Sequence, residues 1–215
     1  MISRRVEFCV DDARLSGVLA TESDESKGLC ILLHPHPLYG GDMDNHVIAA
    51  LDAMLLGLGY STLRFNQRGF AHTAASFRGV SGAVSDLLEV ARQMKGKGGM
   101  QTVGLVGYSF GASVALCSAV RESWSFLVGL SPSMQLLSEA CTPVSLAPVR
   151  CPVLLFHGSD DVIVPPSDSE SIVSLMRHNR VRLVPMVGVD HFYGLGMSVV
   201  SQELTIFLRG LESEL

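Results

Sequence analysis

The chain is poor in charge: Lys, Arg, Asp and Glu make up 17% of its 215 residues. Its 16 basic residues are outnumbered by 21 acidic ones, for a formal net charge of −5, and no basic block occurs. A nucleic-acid footprint is therefore not expected. Long apolar runs are missing too. Apolar residues reach 47% and mean hydropathy is +0.34, yet every apolar run breaks well short of the ~18–20 residues of a membrane span. The apolar excess is assigned to buried strands instead. At the start, MISRRVEFCVDD carries two arginines with no apolar stretch behind them, which is not the pattern of a secretory leader. Disulfide and zinc signals are also lacking. The five cysteines (Cys9, Cys30, Cys117, Cys141, Cys151) are odd in number and contain no C-x-x-C. Reduced thiols and a cytoplasmic location are the expectation. Without repeats or low-complexity linkers, a single domain over 1–215 is expected.

What the chain does have is alternation. Val6–Val10 and Leu15–Leu19 flank the polar turn DDAR and read as an antiparallel hairpin. Leu29–Leu33, Ser61–Phe65, Thr102–Val106, Phe126–Leu130, Val153–Phe156 and Val181–Val184 read as strands. Several are apolar throughout, as in a sheet buried on both faces. Amphipathic helices lie between them. One carries Val47, Leu51, Met54, Leu55 and Leu58, with Asp44 or Asn45 as N-cap and Gly57 or Gly59 near its end. A second uses Val84, Leu87, Leu88, Ala91 and Met94 and stops at a KGKGG turn. Another follows Ser109, one opens on a capping box of Ser167 and Glu170, and the last carries Val199, Val200, Leu204 and Phe207. This order implies an α/β fold: a mostly parallel central sheet, helices on both faces, and an antiparallel N-terminal edge. The stretch 131–151 reads as irregular. It is too short for a cap domain, so a site at the strand ends is expected to be open.

Residues 107–111 read G-Y-S-F-G, between an apolar run ending at Val106 and the small-residue run Ala112–Ala115. A serine so flanked, at a strand-to-helix turn, has the pattern of a nucleophile elbow. Glycines two before and two after relieve the crowding of a sharp turn, and the next helix offers its N-terminal N–H groups to a developing oxyanion. A serine hydroxyl needs a base, and the base needs a carboxylate to orient it. Both should follow the serine, acid first. His191, in GVDHFYG, is the expected base; His178 sits at a helix end, where a solvated cap is the simpler role. Asp160 and Asp161, in HGSDDVIVP, are the acid candidates, and Asp190 is a weaker rival because a neighbour's side chain points away from that of His191. One oxyanion donor should be the Phe110 N–H and the other should come from the loop HPHPLYGG. Pro35 and Pro37 have no N–H, which leaves His36 first and Leu38 second. Leu38, Tyr39 and Phe192 are candidate substrate contacts. Phe110, Met134, Leu136 and Leu137 fit either a pocket wall or ordinary core. His34 and His36 form H-x-H without a spaced third ligand, so no metal is expected. Gly104, Gly107 and Gly111 do not make a dinucleotide fingerprint.

These residues resemble the α/β-hydrolase superfamily over essentially the whole chain, through LCILLHPHPLYGG, RFNQRG, VGYSFGA, FHGSDDVIVP and DHF. HPHPLYGG-x-MDN followed by LRFN-x-RG is similar to a group of small, capless, dienelactone-hydrolase-like proteins. The resemblance implies that the acid is the Asp preceding x-x-V-P, here Asp161. Two departures stand out: FAHTAASF replaces the G-x-S that often follows RFNQRG in relatives, and the elbow residue is Ser109 where dienelactone hydrolases use cysteine. Arg68 and Gly69 read as structural. The implied reaction is hydrolysis of an ester or thioester of a small acyl substrate, through an acyl-enzyme and without a cofactor. The rival is a binding or scaffold module on a hydrolase fold, which would have no use for a Ser–His–Asp set. Monomer and homodimer both fit the sequence.

Overall fold

The computed structural model describes residues 2–213 except 24, 71–75, 99–101, 141–145, 177 and 179. Among these residues eight strands and six α-helices follow one another as β1 (Ile2–Val10), β2 (Ala13–Thr21), β3 (Leu29–Leu33), α1 (His46–Gly57), β4 (Ser61–Phe65), α2 (Gly79–Gly98), β5 (Val103–Tyr108), α3 (Phe110–Ser118), β6 (Phe126–Leu130), α4 (Met134–Ala140), β7 (Val153–Gly158), α5 (Ser167–Leu175), β8 (Val181–Met186) and α6 (Met197–Glu212). The strands form one sheet in the order β1-β2-β4-β3-β5-β6-β7-β8. From β4 to β8 across the sheet all pairings are parallel; β1–β2 and β2–β4 are antiparallel, so β2 alone runs against the other strands. This is the α/β-hydrolase fold.

Every residue of β3, β5, β6 and β7 is buried, as their unbroken apolar runs require. Successive side chains go to opposite faces. Leu29, Ile31 and Leu33 of β3 join a core with α2, α3, α4 and α5, while Cys30 and Leu32 join one with α1 and α6. After β3 the chain steps outward to β4; from β5 on it steps the other way. The point between β3 and β5 is therefore where strand order reverses, and the crevice beyond their carboxyl ends is where open α/β sheets bind ligands.

Several expectations change in detail. The hairpin strands are longer than their apolar stretches, and the turn is only Asp11-Asp12, with Asp11 at φ 50°. Aspartate tolerates that region better than most residues. Helix α2 runs through the KGKG segment to Gly98 instead of stopping before it. Asn45, not Asp44, caps α1, accepting from the Val47 N–H at 3.0 Å. No capping box forms at α5. Pro166 already has helical angles and no side-chain cap is present, because proline's fixed φ suits a first turn. The stretch read as irregular contains α4. Arg68 is a buried anchor: its Nε donates to both carboxylate oxygens of Asp86 on α2, while its other nitrogens donate to Asp12 and the Val10 carbonyl of the hairpin. Among the described residues no helix is long and apolar enough to cross a membrane. Cys141 and most of FAHTAASF lie outside the described residues.

Candidate active site

Ser109 stands alone between β5 and α3, at φ 54° and ψ −114°. A non-glycine residue there is strained, and such strain persists only where the surroundings enforce it. The flanking glycines show the enforcement. A Cβ on Gly111 would lie 2.0 Å from the Leu33 carbonyl oxygen, and one on Gly107 would lie 2.4 Å from the Gly111 carbonyl oxygen. The bend thus closes with helix backbone pressed on strand backbone, leaving the serine side chain at the carboxyl end of the sheet. The Ser109 N–H donates to the Leu130 carbonyl at 2.7 Å, tying the bend to β6.

His191 follows β8 in a tight turn, in which the Phe192 N–H donates to Asp190 Oδ1 at 3.0 Å. The ring approaches Ser109 from the β6–β8 side: Nε2 lies 3.1 Å from Ser109 Oγ and Nδ1 lies 2.6 Å from Asp161 Oδ2. A carboxylate only accepts, so Nδ1 carries the proton and Nε2 is left to accept from the serine. Tyr108, from β5, backs the ring at 5.4 Å between centroids, and its hydroxyl donates to the His191 carbonyl at 2.8 Å.

Asp161 is fixed on both oxygens. Oδ1 accepts from the Ile163 and Val164 N–H groups at 3.0 and 2.8 Å. Oδ2 accepts from Ser131 Oγ at 2.8 Å as well as from His191, and His157 Nε2 stands 3.4 Å away. Burial alone would raise this carboxyl; the donors from His157, His191, Val164 and Ser131 outweigh it and hold the group well below the usual carboxylate range. Asp160 points elsewhere: it is exposed and accepts from its neighbour Ser159. Asp190 is spent on its own turn. Of the three carboxylates considered in sequence, the chain brings only Asp161 to the imidazole.

The HPHPLYGG loop crosses the start of α3. His34 is buried at the end of β3; its Nδ1 donates to the Pro35 carbonyl at 2.6 Å and its Nε2 accepts from the Gln67 N–H at 2.9 Å. Gln67 Nε2 also donates to the His34 carbonyl at 3.0 Å. Burial pushes the His34 imidazole down to about 4, so it stays neutral and keeps this acceptor role. The His36 ring packs on Phe110, Phe77 and Tyr39 at 4.8, 4.9 and 4.7 Å. The Leu38 N–H is engaged, donating to His36 Nδ1 at 3.3 Å. The backbone N–H groups of His36 and Phe110 have no partner among the described residues. No group of three or more His, Cys, Asp or Glu among those residues could hold a metal.

Leu38, Tyr39 and Phe192 are all exposed, Tyr39 by 87%. The side chains of Phe110 and Leu137 are instead fully buried in the α2–α5 core, and Met134 and Leu136 pack against it. Of the two roles left open for these four residues, ordinary core is the one they take. Sequence reasoning passed over Ser131, His157 and Tyr193, which surround Asp161. No local pattern marks them: Ser131 directly follows β6, His157 lies near the end of β7, and Tyr193 lies in the loop between β8 and α6.

A family profile described as phospholipase/carboxylesterase matches residues 60–210. The chain is similar to a protein of unknown function from Agrobacterium tumefaciens, with 25% identity, a TM-score of 0.86, and 99% and 98% of the two chains covered. It is similar to an α/β serine hydrolase homologue from Coxiella burnetii (26% identity, TM-score 0.83, 97% of both chains). A third similar structure is an α/β serine hydrolase without a lid from Xanthomonas campestris, at 25% identity and TM-score 0.81, over 96% and 94% of the chains.

Proposed function

The chain belongs to the phospholipase/carboxylesterase family of esterase-type α/β-hydrolases, and on that premise we propose that Ser109, His191 and Asp161 form its catalytic triad. The observation that carries this reading is one unbroken chain of contacts: Asp161 Oδ2 to His191 Nδ1 at 2.6 Å, and His191 Nε2 to Ser109 Oγ at 3.1 Å. Ser109 Oγ attacks the substrate carbonyl as His191 Nε2 takes its proton. Asp161 holds the Nδ1–H tautomer and stabilises the imidazolium that forms. The proton then passes to the leaving group, and water attacks the acyl-serine by the same route.

The tetrahedral oxyanion is received by the Phe110 and His36 N–H groups. Both are free of other partners among the described residues, whereas the Leu38 N–H is already used. Substrate is a carboxylic ester or thioester with a small acyl group, and it rests against Leu38, Tyr39 and Phe192. No step calls for a metal or cofactor.

The test is direct. Purified protein is expected to hydrolyse short p-nitrophenyl esters and to take a fluorophosphonate label on Ser109. Ser109→Ala is expected to lose both. Equal turnover by wild type and Ser109→Ala would remove the triad reading.

A further inference from the structure

Among the described residues four non-glycine positions have positive φ: Asp11, Ser109, Ser131 and Tyr193. Asp11 sits in a hairpin turn, where the conformation has a local reason. The other three lie along one hydrogen-bond path. Strain of this kind persists only where the surroundings enforce it, and it clusters where a side chain must be held in place. For a bulky residue such as Tyr193, at φ 58°, it is a true outlier.

The path runs beyond the triad. Ser131 Oγ donates to Asp161 Oδ2 at 2.8 Å, and Tyr193 Oη lies 2.9 Å from Ser131 Oγ and 3.2 Å from the Phe156 carbonyl. Proton bookkeeping fixes its direction. The ionised carboxylate only accepts, so the single proton of Ser131 goes to Asp161. Ser131 must then accept from Tyr193, which shares its proton with Phe156. Burial pushes the Tyr193 hydroxyl up, so it remains a donor. Both side chains are fully buried.

Resting on the triad reading above, we propose that Ser131 and Tyr193 are positioning residues that set the basicity of His191: Ser131 competes with it for the same oxygen of Asp161, and Tyr193 acts through Ser131. Each hydroxyl donated toward Oδ2 draws charge from the carboxylate and weakens its hold on the imidazolium. With Ser131 silenced, Oδ2 is left more fully to His191. The imidazolium becomes more stable, and the base is freed only at higher pH. His157 Nε2, from β7, also faces Oδ2, at 3.4 Å, while donating to the Val164 carbonyl at 2.9 Å; it is the same in every variant below, so the change read is that of the Ser131 donor. The Tyr108 hydroxyl, from β5, is engaged by the His191 carbonyl, Asp190 by the Phe192 N–H, and Asp160 by Ser159.

The experiment is the pH profile of kcat/KM for p-nitrophenyl acetate in wild type, Ser131→Ala, Ser131→Gly and Tyr193→Phe, with folding checked by circular dichroism. The acid limb is expected to move up by roughly 0.5–1 pH unit in both Ser131 variants, at the low end of what a neighbouring carboxylate does to a paired group. Tyr193→Phe, which keeps the ring, should move it less and in the same direction. Glycine suits φ 47°, so Ser131→Gly carries the test if the alanine variant does not fold. An NMR titration of the His191 ring in a Ser109→Ala background reads the same shift without turnover. An unmoved limb overturns the inference. So does a downward shift, which is what a merely structural role predicts, because a loosened Asp161 stops supporting the imidazolium. If Ser109→Ala is inactive and the limb is unmoved, the triad stands and this inference falls. If Ser109→Ala is fully active, the triad itself falls.

Discussion

The substitution Gly111→Ala adds one methyl group at the tightest point of the serine bend. Its Cβ would sit 2.0 Å from the Leu33 carbonyl oxygen, 2.5 Å from the Leu33 carbonyl carbon and 2.8 Å from the His34 carbonyl oxygen. All three are backbone atoms, so no side chain can swing aside. Real Cβ atoms essentially never come within 3.0 Å of such neighbours, and the start of α3 must back away from the end of β3 by about 1 Å or more. Overpacking of this kind costs about 1–3 kcal/mol, and a clash against backbone belongs at or above the upper end. Activity should suffer independently. Phe110 and His36 lie on opposite sides of this contact, so a wedge here separates the two proposed oxyanion donors. Misplacement of about 1 Å costs on the order of 10²-fold in rate. Urea unfolding, with p-nitrophenyl acetate turnover on the remaining folded protein, reads both effects. A variant within about 0.5 kcal/mol and twofold of wild type would refute the claim that backbone contact shapes the bend and the anion site.

Asp161→Asn should leave the fold intact but cut kcat by roughly 10⁴, because the imidazole loses its tautomer control; stopped assays at fixed pH check this, and a loss under tenfold would contradict it. His36 already has φ −57°, so His36→Pro removes the N–H with little backbone change and should lower kcat by about 10²–10³, whereas His36→Ala keeps the N–H and most of the rate. Asp86→Ala strips the buried partner from Arg68 and should cost about 3–5 kcal/mol in denaturant unfolding. Stability should also fall on acidification from two sources. His34 is held neutral down to about 4 in the fold, while an unfolded histidine binds its proton near 6.5. Stability is thus lost as pH drops from about 6.5 to about 4, by up to about 3 kcal/mol. Asp161, depressed in the fold, adds a further loss only below about 4, where the unfolded carboxylate starts to protonate. A His34→Gln protein should show a flatter slope in the first window.

The sheet and the serine bend were legible in the sequence for a physical reason. Strands buried on both faces must be apolar throughout, and a backbone approach that would leave a Cβ 2.0 Å from a carbonyl oxygen admits only glycine. The choice between Asp160 and Asp161 was not legible from spacing. It depends on the turn in which the Ile163 and Val164 N–H groups converge on Asp161 Oδ1, and both aspartates suit a turn. At the start of α5, Ser167 and Glu170 match a cap by type, but Pro166 already holds helical angles one residue earlier. Ser131 and Tyr193 could not be found at all. Their partners are 30 and 62 residues apart in sequence, and only the parallel order of β6, β7 and β8 makes them neighbours.

The guanidinium of Arg68 has a practical consequence for anyone re-engineering the chain. Two of its acceptors, Asp12 and the Val10 carbonyl, come from the opening hairpin, and Asp86 comes from α2. Deleting the first dozen residues would strand a cation in the interior with half its cage gone. Fusions appended upstream of residue 1 leave that cage whole. A split-protein reporter built on this scaffold would have to keep positions 10–12, 68 and 86 on one fragment, or accept reassembly driven by that charge.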